Sequence, residues 1–158
     1  MTILVTGASG FIGSYIVEEG LRRGYEMWAG MRGSSSKSYL QDERIHFARL
    51  DLSNPQKLQA QLEDYRQQMG GRKWDVIVHA AGATKCLHEE DFFKVNTQGT
   101  RNLVEALQAA DMVPERFVFI SSLSIYGAIR ETPVKTAMNG SPWIYSPILD
   151  SDTPQPNT

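Results

Sequence analysis

Short apolar runs recur along the chain, separated by amphipathic stretches. Ile3-Leu4-Val5, Met27-Trp28-Ala29, Ile45-His46-Phe47, Val76-Ile77-Val78 and Phe117-Val118-Phe119-Ile120 have the length and side chains of strands buried on both faces. A helix is predicted from about Phe11 to Arg23, with Ile12, Ile16 and Leu21 on its buried side and Gly24 as its left-handed exit. Leu58, Leu62, Tyr65 and Met69 repeat at helical period behind Asn54 as cap and Pro55 in the first turn, and Gly70-Gly71 ends that helix. A longer helix, roughly Asp91 to Ala110, aligns Phe92, Asn96, Gly99, Leu103 and Leu107 on one stripe, which turns the polar Asn96 towards the sheet.

Strands alternating with helices predict a parallel, doubly wound α/β sheet, because parallel neighbours need a right-handed crossover. From about Ala128 the pattern gives way to Pro133, Gly140, Pro142, Pro147, Pro154 and Pro156, the composition of a loop or tail. The expected organisation is a nucleotide-binding domain over residues 1–127 and a tail over 128–158.

Composition adds mainly exclusions. With 158 residues, 41% of them hydrophobic, one domain with its own core is the default. A net charge of -2, with lysine and arginine spread along the chain, argues against nucleic acid as a partner. Cys86 is the single cysteine, and His46, His79 and His88 have no metal-site spacing, so a reducing, cytoplasmic setting without structural metal is expected. The opening Met1-Thr2-Ile3-Leu4-Val5 reads as neither a signal peptide nor a membrane span, and no membrane association is expected.

The chemistry concentrates in Thr6-Gly7-Ala8-Ser9-Gly10-Phe11-Ile12-Gly13, which follows the first strand and opens the first helix. Backbone N–H groups at a helix start hold phosphate, and glycines let the pyrophosphate and the neighbouring backbone come close. Contacts are expected from Gly7, Ser9, Gly10, Phe11, Ile12 and Gly13; the alternative is a glycine-rich turn without a ligand. The Gly-x-x-Gly-x-x-Gly spacing resembles the fingerprint of extended short-chain dehydrogenases/reductases, the NAD-dependent epimerase/dehydratase group, whose nucleotide-binding part is a Rossmann fold.

That resemblance extends over nearly the whole chain. NAD-preferring relatives end the second strand in an acidic residue that binds the ribose hydroxyls; here Met31 stands at that position, followed by Arg32 and then Gly33-Ser34-Ser35-Ser36-Lys37. Loss of an anion and gain of Arg32 and Lys37 favour NADP, with NAD as the alternative; a solvated serine loop is the competing reading of Ser34 to Ser36. Asp51-Leu52 resembles the pair that meets the adenine ring, although Asp51 alone reads equally well as a strand-end cap. Ala80-Ala81-Gly82 is similar to the segment that passes the cofactor ribose and phosphates, while His79 is read as a packed strand residue. Asn96 matches the family's active-site asparagine, and Ser121 lies along the cofactor by the same resemblance.

Phe117 to Gly127 resembles the family's strand, serine pair and Tyr-Gly. The resemblance makes Ser122 the catalytic hydroxyl that hydrogen-bonds the substrate oxygen, and Ser124 a second, substrate-facing hydroxyl. Serines ending a strand with local backbone bonds are the alternative. The family's acid/base is a tyrosine with a lysine four residues on, and Tyr15, Tyr25, Tyr39, Tyr65, Tyr126 and Tyr145 are followed at that spacing by Glu19, Ala29, Glu43, Met69, Arg130 and Leu149. The expectation is therefore the truncated front part of a larger enzyme, its catalytic Tyr-Lys pair and substrate domain lying beyond residue 158. The implied reaction is hydride transfer at a carbinol carbon of a nucleotide sugar. An NADP-dependent ketone or aldehyde reductase and a non-catalytic NADP-binding regulatory module are the alternatives. The expected partners are the nicotinamide dinucleotide and, for the whole enzyme, a small-molecule substrate. Homodimers are common among such relatives.

Overall fold

The computed structural model describes residues 1–84 and 87–122. Five parallel strands form one sheet: β1 (Thr2–Thr6), β2 (Glu26–Met31), β3 (His46–Arg49), β4 (Val76–His79) and β5 (Arg116–Phe119), in the order β3-β2-β1-β4-β5. The helices are α1 (Phe11–Arg22), α2 (Pro55–Gln68), α3 (Glu89–Phe92) and α4 (Gly99–Ala109), with a π-helical stretch over Phe93–Gln98 joining the last two. This is the doubly wound Rossmann arrangement that the alternation predicts.

The sheet carries a separate core on each face. Against one, Val17 and Leu21 of α1 pack on Ile3, Val5, Met27, Ala29 and Met31. Against the other, Leu58 and Leu62 of α2 and Leu103, Ala106 and Leu107 of α4 pack on Leu4, Trp28, Ala48, Trp74 and Ile77. Because side chains alternate along a strand, Leu4 feeds one core while Ile3 and Val5 feed the other. The α2 start follows its sequence: Asn54 Oδ1 accepts the Lys57 N–H at 2.9 Å, Pro55 occupies the first turn, and Gly70 and Gly71 leave the helix at positive φ.

Four features differ from the sequence pattern or add to it. The buried side of α1 is Gly13, Ser14, Val17, Gly20 and Leu21, and Ile12 is 53% exposed. Small residues let the helix sit close to the sheet: a Cβ at Gly13 would lie 2.3 Å from Gly7 O, and one at Gly20 2.3 Å from Met27 Sδ. The strand at each edge is not buried on both faces, and Phe119 of β5 is 41% exposed. No helix lies between β2 and β3; the polar Ser34-Ser35-Ser36-Lys37 stretch offers no apolar stripe, and Leu40 and Ile45 anchor the crossover in the α1-side core. Asn96 is not alone in its polarity, since Thr100 and Asn102 are buried on α4. Among the described residues no helix is long and apolar enough to cross a membrane.

Candidate functional site

Parallel strands deliver all their outgoing loops to one edge, and the strand order reverses between β1 and β4, so the loops leaving these two strands diverge around a crevice. Gly7 begins the first loop at φ +67°, and a Cβ there would lie 2.7 Å from the Cα and N of Ala81 in the second. The chain turns back through a Gly10 N–H to Gly7 O bond of 3.0 Å and enters α1. Gly10 is the N-cap; no side chain caps the helix and no acid stands in its first turn. That leaves a helix start whose backbone and dipole suit an anion. Gly10 is exposed, and a Cβ there would meet only Gly7 O, at 3.3 Å. The space over Gly10 is therefore kept open towards solvent, whereas Gly7 and Gly13 are glycines because backbone occupies the room a side chain would need.

A buried polar relay fixes the crevice walls. Thr100 Oγ1 donates to Asn96 O at 2.6 Å, so it accepts the proton of His79 Nε2 at 2.9 Å. His79 Nδ1, lacking a proton, accepts from Thr6 Oγ1 at 2.6 Å, and Thr6 Oγ1 accepts the Ala81 N–H at 3.4 Å. Every member has a partner, which is the condition for burying such a chain. His79 is 1% exposed, and burial pushes its pKa down to about 4. It is thus a neutral tie between the ends of β1 and β4 and the helix, with both ring nitrogens engaged in the relay.

Asn96 lies in the π-helical stretch, where the wider turn re-aims a side chain that regular helical spacing would place on the α4 stripe. Its Oδ1 accepts the Ala83 N–H at 2.7 Å and its Nδ2 donates to Ala83 O at 3.1 Å, clamping the loop after β4. Gly82 leaves room for this clamp: a Cβ there would lie 3.2 Å from Asn96 Oδ1. Further along, in α4, Asn102 Nδ2 donates to Leu52 O at 2.8 Å and holds the Asp51-Leu52 loop.

At the far end of the edge, Met31 is buried and Arg32 is exposed. The chain turns there through a Ser35 N–H to Arg32 O bond of 3.0 Å. Lys37 folds back, its Nζ 3.7 Å from the centroid of Phe47. Asp51 accepts from Ser53 Oγ at 2.6 Å and from Lys57 Nζ at 2.9 Å, and these partners lower its pKa, Ser53 foremost. The strand-end role of Asp51 is thus visible in the structure, and it leaves the carboxylate at the edge of the crevice.

The structure brings Gly7, Ser9, Gly10, Phe11, Ile12, Gly13, Ala80, Ala81, Gly82 and Asn96 to this one crevice and places Arg32, Lys37, Asp51 and Leu52 at its β2–β3 end. Ser121 and Ser122 follow β5 on the same edge, both exposed. Cys86, Ser124 and Tyr126 lie outside the described residues. Sequence reasoning gave no structural part to the Thr6, Thr100 and Asn102 side chains, whose signal was polar groups at strand-end and helix-stripe positions. Among the described residues no cluster of His, Cys, Asp and Glu could hold a metal ion.

Comparison with known proteins agrees with this architecture. The rice cinnamoyl-CoA reductase 1 is 34% identical over 138 residues, covering 83% of this chain and 36% of that protein. The Drosophila melanogaster UDP-glucose 4-epimerase is 28% identical over 151 residues, covering 84% of this chain and 40% of its own length. The chain therefore spans well under half the length of these relatives. The crystal structure of Thermus thermophilus UDP-glucose 4-epimerase in complex with NAD superposes with a TM-score of 0.56 at 30% identity, over 71% of this chain and 35% of that one. The family model described as the NAD dependent epimerase/dehydratase family matches residues 3–147, and the chain belongs to that family.

Proposed function

We propose that this chain is the dinucleotide-holding part of an oxidoreductase that moves a hydride between a nicotinamide and a carbinol carbon, and that it prefers NADP to NAD. The observation that carries the reading is the uncapped start of α1 beside glycines that admit no Cβ at Gly7 and Gly13 and leave open space over Gly10. The fit to a pyrophosphate is physical: N–H donors converge there, no carboxylate stands in the first turn, and backbone lies bare. The bound nicotinamide supplies the hydride acceptor or donor. The chain's own part is to hold that group: Gly7, Ser9, Gly10 and the first turn of α1 take the pyrophosphate, Ala80 to Gly82 line the ribose side, and Asp51-Leu52 face the adenine. Ser122, leaving β5 on the same edge, hydrogen-bonds the substrate oxygen at which hydride leaves or arrives.

A nucleotide sugar is the substrate class supported by the epimerase relatives. A ketone or aldehyde reductase is the second reading, favoured by a specific observation: Met31 in place of a ribose-binding carboxylate, with Arg32 exposed beside it, together with the similarity to the rice reductase. Calorimetric titration of the 158-residue chain with NADPH and NADH tests the common core of both. Binding of NADPH tighter than NADH by about tenfold or more is expected for one charge-assisted contact. Equal affinities would remove the NADP preference, and binding of neither would sink the cradle.

A further inference from the structure

Arg49 is the last residue of β3 and pairs in register with Met31, the last residue of β2. Partners in a parallel ladder share a face of the sheet, so the Arg49 side chain starts beside the end of β2. It reaches over the following turn: a Cβ at Gly33 would lie 2.7 Å from Arg49 Cζ, Nε and Nη2. The guanidinium therefore rests on the Gly33 backbone, and the lack of a side chain at Gly33 is what admits it. Arg32 is the preceding residue, and the same turn is closed by its carbonyl.

Two of the three carboxylates nearest in sequence to this cation are engaged elsewhere, and the third, the exposed Glu43, makes no ion pair with it. Asp51 is held by Ser53 and Lys57, and Asp42 by a two-pronged contact with Arg44 at 2.9 and 2.7 Å. Among the described residues the Arg49 guanidinium makes no ion pair, and only its backbone N–H has a partner, Tyr65 Oη at 2.7 Å. Residues 31–40 contain no acid, while Arg32 and Lys37 add two more positive charges. A planar guanidinium lying unpaired on a glycine turn, next to a second arginine, suits a phosphate dianion presented at that turn.

We propose that Arg49 is a cofactor-selecting residue whose guanidinium, together with Arg32, grips the 2′-phosphate of NADP above Gly33. This rests on the NADP reading above and assigns a specificity role to a strand that no glycine motif marks. The test uses the adenosine half alone, 2′,5′-ADP against ADP, titrated calorimetrically into the full 158-residue chain. Arg49→Gln should bind 2′,5′-ADP about tenfold more weakly and ADP within about twofold of the parent, the loss of one charge-assisted contact. Gly33→Ala, which displaces the guanidinium while keeping the arginine, should lose the same discrimination, so the proposal survives a variant that fails to fold. If the parent discriminates, and Arg32→Gln abolishes that discrimination while Arg49→Gln and Gly33→Ala leave it intact, Arg49 has no such role although the NADP reading stands. An equal loss for both probes in Arg49→Gln would make the residue structural and overturn the proposal. A parent that does not distinguish the two probes overturns both readings.

Discussion

The two ends of the sheet treat charge differently. At the amino edge, several charged and polar groups are matched to one another, although Glu115 and Arg116 at the start of β5 make no ion pair among the described residues. Asp75 accepts the Thr2 N–H at 2.6 Å, Glu26 accepts from Thr2 Oγ1 at 3.0 Å and Trp28 Nε1 at 3.1 Å, and Asp111 holds Arg66 and Lys73 at 2.9 and 2.8 Å. At the carboxyl edge, Arg32 and Arg49 make no ion pair among the described residues, and the start of α1 has no side-chain cap. Both ends are exposed, so solvent access does not explain the difference. Groups paired at one end satisfy one another, while Arg32 and Arg49 at the other stand without an ion pair where the proposed dinucleotide would meet them.

The largest effects are expected from the two kinds of glycine at the carboxyl edge. Gly13→Val should destabilise the chain by about 3 kcal/mol or more, because the new Cβ has backbone oxygen in its way and cannot be relieved by a rotamer change. Gly10→Val should cost within about 1 kcal/mol and yet weaken dinucleotide binding by about a hundredfold or more, because it fills the open space that is proposed to take the pyrophosphate. Urea denaturation alongside NADPH titration checks both. If Gly10→Val binds as the parent does, the open space above it serves no ligand.

The buried His79 relay offers a pH-dependent test. Its folded pKa of about 4 lies below the ordinary 6.5, so between those values the unfolded chain binds the proton and the folded chain resists it. Stability from this group is complete above pH 6.5 and is lost as pH falls towards 4. The expected loss from pH 7 to pH 5 is about 2 kcal/mol, a range in which most carboxylates stay ionised. His79→Gln should flatten that slope, measured by urea unfolding at the two pH values. A slope unchanged in the variant would place its origin in other groups.

What the sequence revealed, and what it withheld, follows the same physical line. The strands, the α2 cap at Asn54 and the glycine exits at Gly24 and Gly70 were legible because apolar runs, caps and positive-φ turns are local. The glycine loop was legible because it sits between a strand and a helix. Ile12 was misplaced because an apolar residue in the first turn of a helix whose N-terminus faces open space has no sheet beneath it; the true contact stripe runs through Gly13, Val17 and Gly20, where small residues rather than large ones carry the packing. Asn96 was found as a residue but not as a clamp, since the π-helical stretch that re-aims it leaves no periodic trace. Arg49 was hidden because its partner turn lies on another strand, and only the register of β2 with β3 brings them together.

At the β2–β3 end of the edge, Arg32→Ala should weaken NADPH by about 1.5 to 3 kcal/mol through loss of a charge-assisted contact, with NADH nearly unchanged. Parallel titrations measure the difference directly. Equal losses for the two cofactors would mean that Arg32 acts on the shared part of the dinucleotide, and the unmatched charge at this edge would no longer mark a 2′-phosphate.

The smallest effect is expected at the amino edge, and it is the control that gives the others meaning. Asp111 sits in the left-handed region at φ 52°, where asparagine is tolerated at least as well as aspartate. Asp111→Asn therefore removes two exposed ion pairs without straining the turn. Exposed pairs gain little over hydration and are screened by salt, so the melting temperature should fall only slightly, the more so in low salt, and NADPH affinity should not change. Lys73 and Arg66 would then be unmatched cations in their turn. If unmatched charge alone sufficed to bind a nucleotide, this variant would acquire a second, weaker site at the amino edge. The expected single-site titration instead ties binding to the combination found only at the other end: cations, a bare helix start and glycines that clear the way to both.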